Sequence, residues 1–351
     1  MKKFVIKFFY TLLFSVIFLA LFSQCKKTPT EPKKNEETNC NYEPGNRNFT
    51  WRMDTVALFP SWMGSIWAFS DNDAYLMGKI YQRKNGVFKG FIGLHWNGSE
   101  WDSNINGTVD EIKHYANDVT GDNQYFVSVG NWSINPPKPA LGEFNNLTKK
   151  WNGFQFQTEG ELYSVWTDKK GYYIAVGTNG MVYQKDGYAA EWVYSKAPTE
   201  FTFTKVTGIS KSEIYCAAYL SLSSGYSYNQ IWKFSKGNWI KLTDTQDTAG
   251  TYLKLPETEI NDIAVEKCSS VDTVSLYVAG NGIFKFTSSG ETLEFTKEVI
   301  ATYEQSFGHI CFISPIDFWV TDLKYNIYHW NGTDLMKIEP INNLPYGQLW
   351  G

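Results

Sequence analysis

Six times along the chain the same pattern returns: an apolar strand, a polar turn, a second apolar strand, then an aromatic strand closed by a turn. The third copy is the clearest. Leu162–Trp166 is followed by the turn Thr167-Asp168-Lys169-Lys170-Gly171, then Tyr172–Gly177, then Met181-Val182-Tyr183, then Asp186-Gly187 and Trp192. The second strand of successive copies ends at Gly78, Gly130, Gly177, Ala218, Gly280 and Thr321. The steps centre on about forty to fifty residues, with longer ones where segments are inserted, which is the spacing of four-stranded units arrayed around a ring.

The runs are short and rich in Val, Ile, Tyr, Phe and Trp, the residues that suit a pleated, half-buried surface. Asn-Gly and Asp-Gly pairs between them supply the positive φ angles of two-residue hairpins. Each copy therefore reads as a four-stranded antiparallel meander. A single such sheet cannot cover both its faces, and radial packing covers them while leaving only short edges. The fold predicted is all-β, a β-propeller of four-stranded antiparallel blades. Trp101, Trp151, Trp192 and Trp239 open the outer strands of four units and are expected to be packed. Two fragments fall outside the six units: Asn48–Asp54, which matches an outer strand, and Tyr346–Gly351, which matches the start of an inner one. They leave two arrangements open, an incomplete seventh blade or edge closure of a six-bladed ring.

The chain divides into a leader at 1–24, a tether at 25–47 and the repeat domain at 48–351. Lys2, Lys3 and Lys7 precede a run of fifteen largely apolar residues, Phe8–Phe22, which has the form of a secretory signal and is short for a membrane span. Lys26–Gly45 has almost nothing to bury and reads as a polar spacer. The segment Leu21-Phe22-Ser23-Gln24-Cys25 resembles the lipobox of bacterial lipoproteins, whose Cys is lipidated. Phe22 and Gln24 depart from the usual Leu and small residue. The resemblance implies a membrane partner through lipid on Cys25, and Lys26 in place of Asp favours the outer membrane. The unit Ile66-Trp67-Ala68-Phe69-Ser70-Asp71-Asn72-Asp73-Ala74-Tyr75, with Leu94-His95-Trp96-Asn97-Gly98, is similar to repeats of bacterial lipoprotein propellers. That resemblance implies the fold and an envelope location and carries no active site.

Net charge is −4, and the repeat region has no basic run, so nucleic acid is not an expected partner. Beyond Cys25 lie Cys40, Cys216, Cys268 and Cys311. Cys216 and Cys311 fall in strand patterns as small buried residues, and a Cys40–Cys268 bond is compatible with an oxidising compartment. His95 and His329 occupy the same repeat position, which marks them as structural, and no histidine pair has zinc spacing. The acids Asp71, Asp73, Asp122, Asp168, Glu213 and Asp317 recur at the turn between the first two strands, where they suit local backbone bonding. No metal or cofactor is expected. Three arginines, Arg47, Arg52 and Arg83, do not supply the converging trio of sialidase-like propellers.

Strand parity puts four insertions on one face of the ring: Lys79–Phe91, Asn131–Ala140, Leu220–Gln230 and Thr243–Glu259. Loops on a rigid scaffold carry function more often than the scaffold does. The candidate ligand-binding residues are Tyr81, Trp132, Tyr226, Tyr228 and Tyr252, with Phe88 beside them, because exposed aromatics stack on sugars or anchor proteins. Two functions follow. One is an envelope-anchored binding or scaffolding propeller for glycan or protein. The other is a glycoside-active hydrolase or lyase, whose carboxylates would include Asp247, Glu257 and Glu259. Acyl chains contribute about 0.8 kcal/mol per buried CH₂, so Cys25→Ala should move the protein out of the membrane fraction or leave an unprocessed precursor. Unchanged processing and sedimentation would refute lipidation.

Overall fold

A computed structural model describes residues 42–45, 56–105, 114–132, 136–221, 227–244, 260–268, 272–289, 296–302, 306–324 and 326–338. All of them belong to one compact unit, Tyr42–Gly351. Six four-stranded antiparallel sheets form a ring, a β-propeller, and in every sheet the strands lie in chain order. Blade 1 is β1 (Leu58–Ser70), β2 (Asp73–Lys84), β3 (Val87–Trp96) and β4 (Trp101–Asp102). Blade 2 is β5 (Tyr115–Gly121), β6 (Tyr125–Trp132), β7 (Lys138–Asn145) and β8 (Lys150–Gln155). Blade 3 is β9 (Leu162–Thr167), β10 (Tyr172–Gly177), β11 (Met181–Asp186) and β12 (Val193–Lys196). Blade 4 is β13 (Thr202–Ser210), β14 (Glu213–Ser221), β15 (Ser227–Ser235) and β16 (Asn238–Asp244). Blade 5 is β17 (Asp262–Cys268), β18 (Thr273–Gly280), β19 (Gly282–Ser289) and β20 (Thr296–Ala301). Blade 6 is β21 (Phe307–Ser314), β22 (Asp317–Asp322), β23 (Ile327–Trp330) and β24 (Leu335–Ile338). The fragments Asn48–Asp54 and Tyr346–Gly351 lie outside the described residues.

The first strands of successive blades run side by side around the axis. Most of them carry a bulge near their start, where the register slips by a residue: Met63/Ser65 in β1, Ala116/Asp118 in β5, Leu162/Ser164 in β9, Phe203/Lys205 in β13 and Phe307/Ile310 in β21. A bulge crowds its backbone against the end of the second strand. In blades 1 to 3 this accounts for the glycine near the end of the second strand, Gly78, Gly130 or Gly177. A Cβ on Gly130 would overlap the carbonyl oxygen of Tyr115, and one on Gly177 that of Glu161.

The core lies between the blades. Five apolar clusters fill the interfaces from blade 1 to blade 6, as alternate side chains of facing sheets interdigitate. Tyr75, Phe126, Phe144 and Trp151 join blades 1 and 2, and Phe307, Phe318 and Tyr328 pack with Tyr277 between blades 5 and 6. The remaining face of blade 1, Leu76, Ile80 and Leu94, is covered by Val56 and Ala57. Gly45 donates its N–H to the Ile316 carbonyl of blade 6 (3.2 Å). Trp151 is buried, while Trp101, Trp192 and Trp239 are half-buried and packed against apolar clusters.

Two expectations are revised. The insertions at 79–91 and 220–230 are not irregular loops. The first lengthens β2 with β3, closed by Asn85-Gly86 with positive φ at both residues, and the described ends of the second, Leu220-Ser221 and Ser227–Gln230, extend β14 and β15. Cys311 is half-buried, unlike the fully buried Cys216; both are free thiols, and Cys268 is disulfide-bonded to a partner outside the described residues. Gly130→Ala should cost about 1–3 kcal/mol, as overpacking does. Gly308→Ala, whose new methyl would meet nothing closer than 3.4 Å, should stay within about 0.5 kcal/mol. Equal melting temperatures for the two would contradict the bulge account.

Candidate functional site

Three regions of the ring concentrate polar or exposed groups. The first surrounds the axis. Asp118 Oδ2 on blade 2 accepts hydrogen bonds from Ser164 Oγ (2.7 Å) and Val165 N (3.3 Å) of blade 3. Ser164 Oγ in turn accepts from Val206 N of blade 4 (3.3 Å). Asp262 Oδ2 on blade 5 accepts from Ile310 N of blade 6 (2.9 Å). The preceding asparagines do likewise: Asn117 donates to Leu162 O and Asn261 to Phe307 O, both at 2.6 Å. Burial opposes charge on Asp262, but the Lys205 ammonium and His309 outweigh it and hold the carboxyl below its usual range. Lys205 is likewise held above its usual range against burial by Asp262 and Asp118. The charges compensate one another and tie inner strands together. Only the repeated Asn-Asp pair at 117–118 and 261–262 signals this in the sequence.

The second region is a repeated pairing across strands two and three of the blades. A cationic or imidazole side chain stands opposite an aromatic at His95/Tyr75, Lys185/Tyr173, Lys233/Tyr215, Lys285/Tyr277 and His329/Trp319. His95 stacks on Tyr75 at 4.5 Å and His329 on Trp319 at 4.2 Å. Acids near the first turn hold three of these groups: Asp73 with His95 (2.8 Å), Asp317 with His329 (2.9 Å) and Glu213 with Lys233 (2.8 Å). Lys185 meets a buried Glu143 of the neighbouring blade at 2.6 Å. Asp122 accepts from Tyr173 and Tyr188 of blade 3, and Asp168 from the N–H groups of Lys170 and Tyr172 in its own turn. His114 is buried against Ser128, and burial holds it down to about 4. These histidines and acids serve structure, and among the described residues no group of three or more His, Cys, Asp or Glu is arranged to hold a metal.

The third region is the end of the ring where second strands turn into third. Tyr81 sits in β2, opposite Leu58 on one side and Gly90 on the other, and stacks on Phe88 (4.9 Å, 11°). Lys79 lies over the rings of Tyr81 and Tyr115, and these hydroxyls, Tyr81 first, raise its affinity for its proton. Phe59 is 94% exposed, and Leu58, Trp62, Met63, Val87 and Phe88 are exposed around it. Trp132 is half-buried at the end of β6. Tyr228 belongs to β15, packs against the cluster between blades 3 and 4, and stands on the blade opposite blade 1, so it does not join Tyr81. Tyr226, Tyr252, Cys25, Asp247, Glu257 and Glu259 lie outside the described residues. Beside the blade-1 hairpin is a cleft of about 550 Å³, bordered among others by Val56, Gln82, Arg83, Trp101 and Asp102. Leu58 also borders it, and the exposed Leu58, Phe59 and Trp62 lie outside any insertion, so strand parity carried no signal for them.

No protein-family model matches the chain, and no curated protein sequence matches it. Solved structures do share its fold. YCF48 bound to a D1 peptide superposes with a TM-score of 0.56 at 12% identity, over 88% of this chain and 92% of that one. YCF48 from Cyanidioschyzon merolae gives 0.51 at 12% identity, over 81% and 87%. The likeness is one of β-propeller architecture.

The blade 5 inner strand carries one acid whose environment has a measurable signature. Burial pushes Glu266 up to about 7, against the pull of the Lys285 ammonium. A carboxyl that binds its proton more tightly folded than unfolded loses stability as it ionises. Melting temperature should therefore fall as pH rises from about 4.5 through about 7, with no further loss from this group above that. Glu266→Gln should flatten this part of the profile. An unchanged profile would place Glu266 in contact with water.

Proposed function

We infer that this is a protein-binding, scaffolding propeller that is held at a bacterial envelope through lipid on Cys25 and engages its partner with the blade-1 hairpin. The observation that carries the binding reading is the group of exposed apolar side chains on one projecting element: Leu58, Phe59, Trp62, Met63, Val87 and Phe88. Exposed apolar side chains grouped in this way mark interaction surfaces, and aromatics at the centre of such a surface supply most of the affinity. A rigid sheet presents them, so little ordering entropy is lost on association. The mutual stacking of Tyr81 and Phe88 covers one ring face of each, which favours a protein partner over sugar rings. The peptide on YCF48 gives the same reading a precedent in fold only. Support for the anchor is the leader and the Leu21–Cys25 segment, with a polar spacer of some twenty residues before the ring.

A photo-crosslinking residue placed at Phe88, in cells that make the protein, should capture a discrete protein adduct. The same residue at Leu147, exposed at the other end of the ring, should not. Phe59→Ser should weaken capture at least tenfold, as loss of a hot spot of about 2 kcal/mol does, while leaving the melting temperature within error. Adducts only at Leu147, or only to glycan, would refute this surface.

A further inference from the structure

The outermost strand of blade 1 stops short. β4 pairs only with His95 and Trp96. In the other blades the fourth strand covers the third along most of its length, as β8 does over Ala140–Asn145 and β16 over Gln230–Ser235. Among the described residues, Val87–Leu94 is paired with β2 on one side and with nothing on the other. Val87–Gly90 is exposed and Phe91 and Ile92 are half-exposed. In an antiparallel strand alternate residues turn both backbone groups to the same side, so about half the N–H and C=O groups of this stretch face outward without a strand partner. That is a template for another strand.

The charge on this hairpin is of one sign. Lys79 and Arg83 lie on β2 and Lys89 on the edge strand β3, and no Asp or Glu occurs from Ala74 to Ser99, although the whole chain is net −4. Two copies of a basic hairpin repel, which disfavours edge-to-edge pairing with a second copy of this chain. An acidic segment is attracted. The lane that β4 leaves after Asp102 continues upward beside β3, antiparallel to it. Side chains of a strand in that lane alternate between the two faces of the sheet. One face carries Phe88 stacked on Tyr81, and the other carries Phe91 packed with Trp101 beside the cleft.

We propose that the binding partner adds an extended, acidic segment with alternating apolar residues to the open edge of β3, antiparallel and along Val87–Ile92. The inference rests on the protein-binding reading above and names the partner's local chemistry. Main-chain hydrogen bonds give the affinity, and the basic side chains with Phe88 and Phe91 select the sequence.

The probe is an eight-residue peptide alternating Asp or Glu with Val or Ile, titrated against the Cys25→Ala protein. It should bind, and amide exchange within Val87–Ile92 should slow on binding. Lys89→Glu combined with Arg83→Glu should weaken it at least tenfold with an unchanged melting temperature. Methylating alternate peptide nitrogens on the side facing β3 should abolish binding, whereas methylating the other side should not. The inference is overturned by any of four results: no binding, binding without protection in β3, preference for a Lys-containing analogue, or binding of anionic vesicles in place of the peptide. Capture of a protein at Phe88 combined with any of these would leave the protein-binding surface standing and remove only the edge pairing.

Discussion

The ring depends on how its innermost strands touch. Blades diverge outward from the axis, so the first strands are where backbones come closest, and a backbone polar group left there without a partner costs about 1–3 kcal/mol. Bulges in five of these strands turn extra groups toward the next blade. Asn117, Asp118, Ser164, Asn261 and Asp262 satisfy them across the blade boundary. The glycines at the ends of second strands allow the approach. Carboxylates at this position need a counter-charge, and Lys205 supplies it for Asp118 and Asp262 together. The axial charges are thus tied to closure of the ring.

Farther out, the same economy governs the turn acids. Each blade must fix the hairpin of its first two strands and also bury a long polar side chain from its third. In blades 1, 4 and 6 an acid near the turn does the second, where Asp73, Glu213 and Asp317 hold His95, Lys233 and His329 over or against an aromatic of strand two, while Asp122 and Asp168 fix the turns of blades 2 and 3 by accepting from backbone N–H groups. Blade 3 solves the problem differently: Lys185 reaches a buried Glu143 on blade 2, which also accepts from Trp192 Nε1. Removing one partner of such a buried pair strands the other charge, so the exchange of partners between blades stiffens the ring more than a surface pair could.

The four-stranded repeat and strand identity were legible because each is written several times, whereas the two end fragments left the blade count open between six and an incomplete seventh. Period-two alternation and Asn-Gly turns are local, and repetition averages out their ambiguity. What was not legible depends on pairing between segments. The stretch 79–91 looked like an inserted loop because its length broke the period, yet it folds as a hairpin about Asn85-Gly86, and β1 begins as early as Leu58 to pair with it. Tyr228, expected in a loop, lies in β15 and is partly buried against the cluster between blades 3 and 4; nothing in its neighbours reveals which face of β15 it occupies. The apolar group around Phe59 lay outside every repeat and so outside every comparison that repeats permit.

Blade 1 is the member that breaks the pattern, and its departures coincide. It has the longest first, second and third strands and the shortest fourth. Among the described residues it carries six of the twelve exposed large apolar side chains, and a run of basic residues uncrossed by acids. Each departure is unfavourable for an isolated ring: an open edge invites aggregation, and an exposed aromatic gains nothing from water. An open edge and exposed aromatics side by side on one blade are most simply reconciled by an occupant that covers both together. A second strand beside β3 does so in one step, because the lane β4 leaves open runs past Phe88 on one face and Phe91 on the other.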